Sequence, residues 1–205
     1  MHKYSAGFAG LFLAYLTYAV VRYNVFKGVP WAHLPVYVVN KAVSLLAITL
    51  LAVAAAGRGL VPGSNAKTSE LRRWFGLAGV ALAGLHVLMS QAILAPEYYG
   101  KLFGGDRSLT LSAELALLFG AVAFVVLLSQ AWKSLASSGA SPPADHAANN
   151  RRLAWTVVTL SALHCAALGW GGWWPPSSWP GTLPPITLIA VLIAVVAAAF
   201  RLVRR

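Results

Sequence analysis

The chain has 205 residues and a formal net charge of +11, with 59% of its residues hydrophobic and only 10% charged. A soluble domain carries about 25% charged residues, and the apolar residues here come in long blocks, so composition excludes an ordinary soluble domain and points to an all-α integral membrane protein. The positive charge lies at the ends of those blocks, where topology signals and contact with anionic lipid account for it. No basic face or basic–aromatic module supports a nucleic-acid partner.

Six blocks reach the roughly 20 residues needed to cross about 30 Å of hydrocarbon. They predict one transmembrane domain over 1–205, with helices at about 6–25, 34–56, 74–95, 109–132, 153–173 and 185–203. The first is too long for a signal peptide, and the "YAVVRYNVFKGVP" that ends it offers no small-residue cleavage site, so it reads as a helix. Between the fourth and fifth blocks, "SSGASPPADHAANNRR" reads as a flexible polar loop holding a solvated His146. "GWGGWWPPSSWPGTLPP", before the sixth block, reads as a tryptophan-rich interfacial segment whose prolines prevent continuous helix.

Basic residues are unequally shared between the two sides. One side holds the amino end, both arginine-bearing loops and the carboxyl end; the other holds only Arg22, Lys27, Lys41, Lys101 and Arg107. This asymmetry predicts both termini in the cytoplasm.

The third and fifth blocks share a layout. "RRWFGLAGVALAGLH" and "RRLAWTVVTLSALH" each open on two arginines and reach a histidine, His86 and His164. Thirteen steps from Arg73 and twelve from Arg152 are about 20 and 18 Å of helix, which puts both imidazoles at one depth in the outer half of the membrane. Two neutral imidazoles at one level on parallel helices suit a metal held between them, and coordination offsets the cost of a polar ring in lipid. Gly79 and Ala83 share the face of His86, and Ser161 and Ala167 that of His164, leaving room for a flat macrocycle. The same small residues equally permit plain close packing, and each histidine taken alone more often serves as an interhelical hydrogen-bond partner, the matched pair being what favours a ligand role.

With these motifs in view, the chain resembles the ferric reductase-like transmembrane domain family, which includes the membrane core of NADPH oxidases and the heme-binding subunit of the periplasmic methionine sulfoxide reductase system. The resemblance covers the second to fifth helices. It implies a six-helix b-type cytochrome of a bacterial inner (plasma) membrane, with one heme b ligated by His86 and His164. Two-heme members carry a further histidine fourteen and thirteen residues earlier, where this chain has Arg72 and Arg151. Arginine cannot ligate iron, so no inner heme is expected. Arg72 and Arg151 are then open to heme propionates, lipid phosphate, a cytoplasmic electron donor or, more simply, topology anchoring. A lone outer heme needs a second carrier, which a quinone, a flavin or a partner redox protein would supply.

Other polar positions are less specific. Arg22, Tyr23, Asn24, His33, Asn40 and Lys41 gather at the outer ends of the first two helices. Lys41 there could pair with an anion such as a quinone, a propionate or an acceptor, although interfacial snorkelling is the simpler account. Glu114 is expected to pair with Lys41 or Arg107, and Ser90, Gln91 and Gln130 to bridge helices. The rival reading is a non-catalytic subunit of a larger membrane complex, its histidines binding pigment or merely packing. No hydrolase triad, carboxylate cluster or CxxC is present.

Overall fold

The structure, a computed structural model, describes residues 2–56, 66–136 and 144–203, with no side chains described at 2–5, 66–69 and 144–148. Among the described residues it is predominantly helical, with a single isolated bridge between Phe103 and Leu109 and no strand. Six of the described helices are long and apolar enough to cross a membrane. They are α1 (His2–Val20), α2 (Val39–Ala56), α3 (Ala66–Ala92), α4 (Leu111–Ala136), α5 (Ala144–Gly169) and α6 (Ile186–Val203).

Turn chemistry fixes where these helices stop. A π-helical turn over Val21–Phe26 prolongs α1, which ends where Gly28 takes φ +70 and the Val29 N–H donates to the Tyr23 carbonyl. Pro30 closes the connection, and short turns at Trp31–His33 and Leu34–Val38 lead directly into α2. Pro96 opens a one-turn helix, Pro96–Tyr99, after α3. As the prolines predict, the segment before α6 is broken, into 3₁₀ turns at Trp170–Gly172, Pro176–Ser178 and Pro180–Thr182. It is tied back by Trp173, whose indole N–H donates to Thr187 Oγ1 at 3.0 Å, and by Tyr18, whose hydroxyl donates to the Pro184 carbonyl at 2.6 Å.

One boundary needs correction. The polar linker before the fifth block is not loop throughout: α5 begins at Ala144, and residues 137–143 of that stretch lie outside the described residues. Ala144, Ala147 and Ala148 are strong helix formers, and their propensity extends the helix beyond its apolar part. α3 likewise starts at Ala66 rather than near Trp74. Both arginine pairs therefore sit inside helices, not ahead of them.

α2 is the central helix: 61% of its span is buried within the protein, against 22% or less for each of the others. It packs on α1, α3, α5 and α6. In the described bundle α2, α3, α4 and α5 close a ring, each packing on the next, while the diagonal pairs α3/α5 and α2/α4 hardly touch. Alanines make up most of two buried clusters, Ala52, Ala56 and Ala197 in one and Ala55 and Ala194 around Val158 in the other. Without a hydrophobic drive in lipid, such small residues gain their stability from close van der Waals approach. The four-helix ring matters most for the site, because both span histidines lie on its diagonal helices.

Candidate functional site

His86 lies on α3 six residues before its end at Ala92, and His164 on α5 five residues before Gly169. Both are therefore in the half of the bundle nearer the tryptophan-rich end. The structure brings them together across the ring: the imidazole centres are 6.4 Å apart and the ring planes cross at 84°. Both residues are partly buried.

The Nδ1 atom of each imidazole is engaged. His164 Nδ1 lies 2.7 Å from the backbone carbonyl of Ala116 on α4. A carbonyl can only accept, so this Nδ1 carries the proton and Nε2 carries the free lone pair. His86 Nδ1 lies 2.7 Å from Asn40 Oδ1. Asn40 itself donates through Nδ2 to Ser90 Oγ at 2.9 Å, which leaves its oxygen to accept from His86. Both histidines thus present a bare Nε2, the tautomer that metal ligands use.

The supporting residues fall on three helices. Asn40 is fully buried at the start of α2 and also lies 3.5 Å from the Tyr99 hydroxyl. On α4, a Cβ at Gly120 would come within 2.9 Å of His164 Nδ1, so only glycine lets that ring seat against the helix and reach Ala116. One turn on, the Phe124 ring lies 3.9 Å from where a Cβ at Gly84 of α3 would stand. Asn40 stood out in the sequence as a polar residue opening an apolar helix. Gly120 and the Ala116 carbonyl gave no signal, because a glycine in a membrane helix has many uses and a carbonyl has no residue type.

The small-residue stripes separate into two groups. Gly79 backs onto Leu51, where a Cβ would meet the leucine side chain at 2.8 Å, and Gly76 faces Ala54. Those glycines let α3 lie close to α2. Ala83, Ser161 and Ala167 are partly buried, three residues from their histidines along each helix.

The arginines at the other end have partners of their own. Arg72 Nε donates to the Ala54 carbonyl at 3.4 Å and Arg73 Nη2 to the Ser134 carbonyl at 2.9 Å. Both acceptors lie in the last described turns of α2 and α4, where the negative end of the helix dipole favours a cation. Arg151 and Arg152 are exposed.

At the tryptophan-rich end, Lys41 holds its ammonium 4.7 Å from the ring centres of both Tyr37 and Tyr99. This corrects the expected pairing with Glu114, which is exposed and has no ion pair among the described residues. His33 lies against Tyr98 with ring centres 4.6 Å apart. Ser90 bridges helices as expected, whereas Gln130 Nε2 is buried without a partner. Lys27, just beyond α1, has its pKa lowered by burial and then by the charges of Lys101, Lys41 and Arg22.

Compared with known proteins, the chain matches no family model and no curated protein. What the site can do therefore rests on its geometry. A first-row metal holds an imidazole nitrogen at about 2 Å, and with the ring centre roughly 1 Å farther back, two trans imidazoles stand about 6 Å apart centre to centre. The observed 6.4 Å fits that arrangement. Among the described residues no group of three or more His, Cys, Asp or Glu could enclose a bare ion. Cys165, next to His164, packs instead into the cluster around α2 and α6. Two imidazoles alone suit a metal that arrives with its other ligands, as iron in a porphyrin does.

Proposed function

We propose that this chain is a membrane b-type cytochrome, with one heme b held by Nε2 of His86 and Nε2 of His164, acting in electron transfer within or across the membrane. The observation that carries this reading is the 6.4 Å separation of two imidazoles whose Nδ1 atoms are both taken up elsewhere. Heme supplies a reversible one-electron couple at its iron.

The protein's own part is positioning. Helices on one diagonal of the ring hold the ligands, and the other two supply what orients them: Asn40 from α2, and Ala116 with Gly120 from α4. Accepting a hydrogen bond from Nδ1–H raises the basicity of Nε2 and fixes the ring plane. Arg72, engaged with α2, argues for topology and capping over ligation at the arginine-rich end, in keeping with a single heme.

The bias of basic residues supports cytoplasmic termini and a heme in the outer half of the bilayer. The motifs around His86 and His164 support kinship with the ferric reductase-like domain and a place in a bacterial inner membrane. One outer heme leaves much of a bilayer about 30 Å thick to be bridged. We assign that step to a membrane quinone, a flavin near the inner end or a partner redox protein.

Absorption spectroscopy tests the reading. Purified protein loaded with heme should give a low-spin spectrum, reversibly reducible, at one heme per chain. His86→Ala and His164→Ala should each abolish it. Loaded wild-type protein without low-spin bands would overturn the proposal, and independent pigment binding by each single variant would favour the rival subunit reading.

A further inference from the structure

Between α5 and α6, at the arginine-rich end, a groove of about 390 Å³ is lined by Arg152, Trp155, Thr156, Thr159, Leu160 and Arg201. The α5 residues lie at successive positions i, i+3, i+4, i+7 and i+8, one continuous face of the helix. Arg201, in the last turn of α6, completes the wall and places its guanidinium 5.0 Å from the Trp155 ring centre. Trp155 packs its ring on Ala52, Ala56 and Ala197, while its Nε1–H is buried with no acceptor. The groove's polar lining therefore comes from the two guanidinium groups and the threonine hydroxyls rather than from the indole N–H.

We propose that this groove binds the phosphate of an anionic membrane lipid, with Arg152 and Arg201 as its charge partners. Guanidinium forks match phosphate oxygens, and two arginines supply the charge that a phosphodiester needs. The shape favours a lipid over a soluble phosphate. Arg152 and Arg201 stand near the ends of the fifth and sixth spans, at headgroup level, and from there the groove runs inward over Thr159 and Leu160. Eight residues of helix are about 12 Å, a path for the upper part of an acyl chain. Thr156 does not compete for the phosphate, since its hydroxyl donates to the Arg152 carbonyl at 3.1 Å. The site is independent of the histidine pair.

Native mass spectrometry of the delipidated full chain tests this. Titration with phosphatidylglycerol should give one tightly held lipid, bound at least tenfold more tightly than phosphatidylcholine or diacylglycerol. The double variant Arg152→Gln/Arg201→Gln should lose that preference. Thr159→Phe, which fills the groove from an exposed position without touching charge, should lose it too, and helical circular dichroism should be unchanged in both. Wild-type selectivity retained in either folded variant would overturn the proposal. So would inorganic phosphate at millimolar concentration displacing the lipid, because the occupant would then be a soluble anion.

Discussion

Asn40, on α2, accepts the Nδ1–H of His86, on α3, across 2.7 Å, and its own amide is held in turn by Ser90 at 2.9 Å. A fully buried amide at the start of an apolar helix thereby sets the tautomer of a histidine 46 residues away in sequence. Asn40→Leu would leave the ring's N–H only the longer contact to Ser90 Oγ, at 3.5 Å, a loss of about 1 kcal/mol in stability. If His86 ligates iron, removing such a partner should also weaken heme binding by about 10–100-fold. Asn40→Asp makes a sharper test. A carboxylate partner makes the imidazole more electron-donating and favours ferric iron, so the midpoint potential should fall while the bis-histidine spectrum persists. An unchanged potential in a folded Asp variant would show that Asn40 acts on packing alone.

Gly120 and Gly84 form a paired control on the two faces near the site. A methyl at Gly120 meets His164 Nδ1 at 2.9 Å, whereas one at Gly84 meets only Phe124, at 3.9 Å. Gly120→Ala must therefore push the imidazole off the Ala116 carbonyl, at a cost of about 1–3 kcal/mol for overpacking. Its heme spectrum should shift toward high spin or be lost. Gly84→Ala should keep the wild-type spectrum and should not lower the melting temperature, since alanine favours helix over glycine. Equal spectra for the two variants would mean that the seat of His164 on α4 is not needed.

The number and placement of the six spans were legible in the sequence, because hydropathy over some 20 residues is a strong signal and lipid permits few alternatives. The convergence of His86 and His164 was legible too, from their matched distances to the arginine pairs. What supports them was not. The role of Gly120 depends on which face of α4 meets α5, a fact of helix packing that no local pattern carries. Gly79 shows the opposite failure: its register with His86 is real, yet it meets Leu51, since small residues serve helix approach and cofactor room alike. The early starts of α3 and α5 escaped a reading based on hydropathy because their first turns are polar.

Outside the spans, Asp106 organises the turn that leads into α4. Its Oδ1 accepts from the Ser108 hydroxyl at 2.6 Å and from the Ser108 backbone N–H at 3.0 Å. Those bonds, the hydroxyl first, hold its pKa below the usual aspartate value. A depressed carboxyl pKa contributes order that is complete above the unfolded value of about 3.9 and is lost as pH falls through the lower folded value. Protection of the Ser108 amide, with exchange corrected for its intrinsic pH dependence, should therefore hold at neutral and mildly acidic pH and fall only in strong acid. In Asp106→Asn the acid-dependent step should vanish; its persistence there would assign the transition to another group.

Arg72 separates a capping role from a cofactor role. Its Nε reaches the Ala54 carbonyl near the end of α2, just as Arg73 reaches Ser134 near the end of α4. A cation at a helix carboxyl end contributes about 0.3–1 kcal/mol. Arg72→Gln, which keeps a donor but loses the charge, should lower the melting temperature slightly and leave heme stoichiometry, spectrum and midpoint potential as they are. A propionate partner behaves otherwise: losing its charge moves the potential, because the carboxylate it neutralised then favours ferric iron. A clear fall in potential for Arg72→Gln, with no such fall for Arg73→Gln, would place a propionate at the arginine-rich end and move the heme inward from the level of His86 and His164. The side-chain geometry at Ala54 predicts the first outcome.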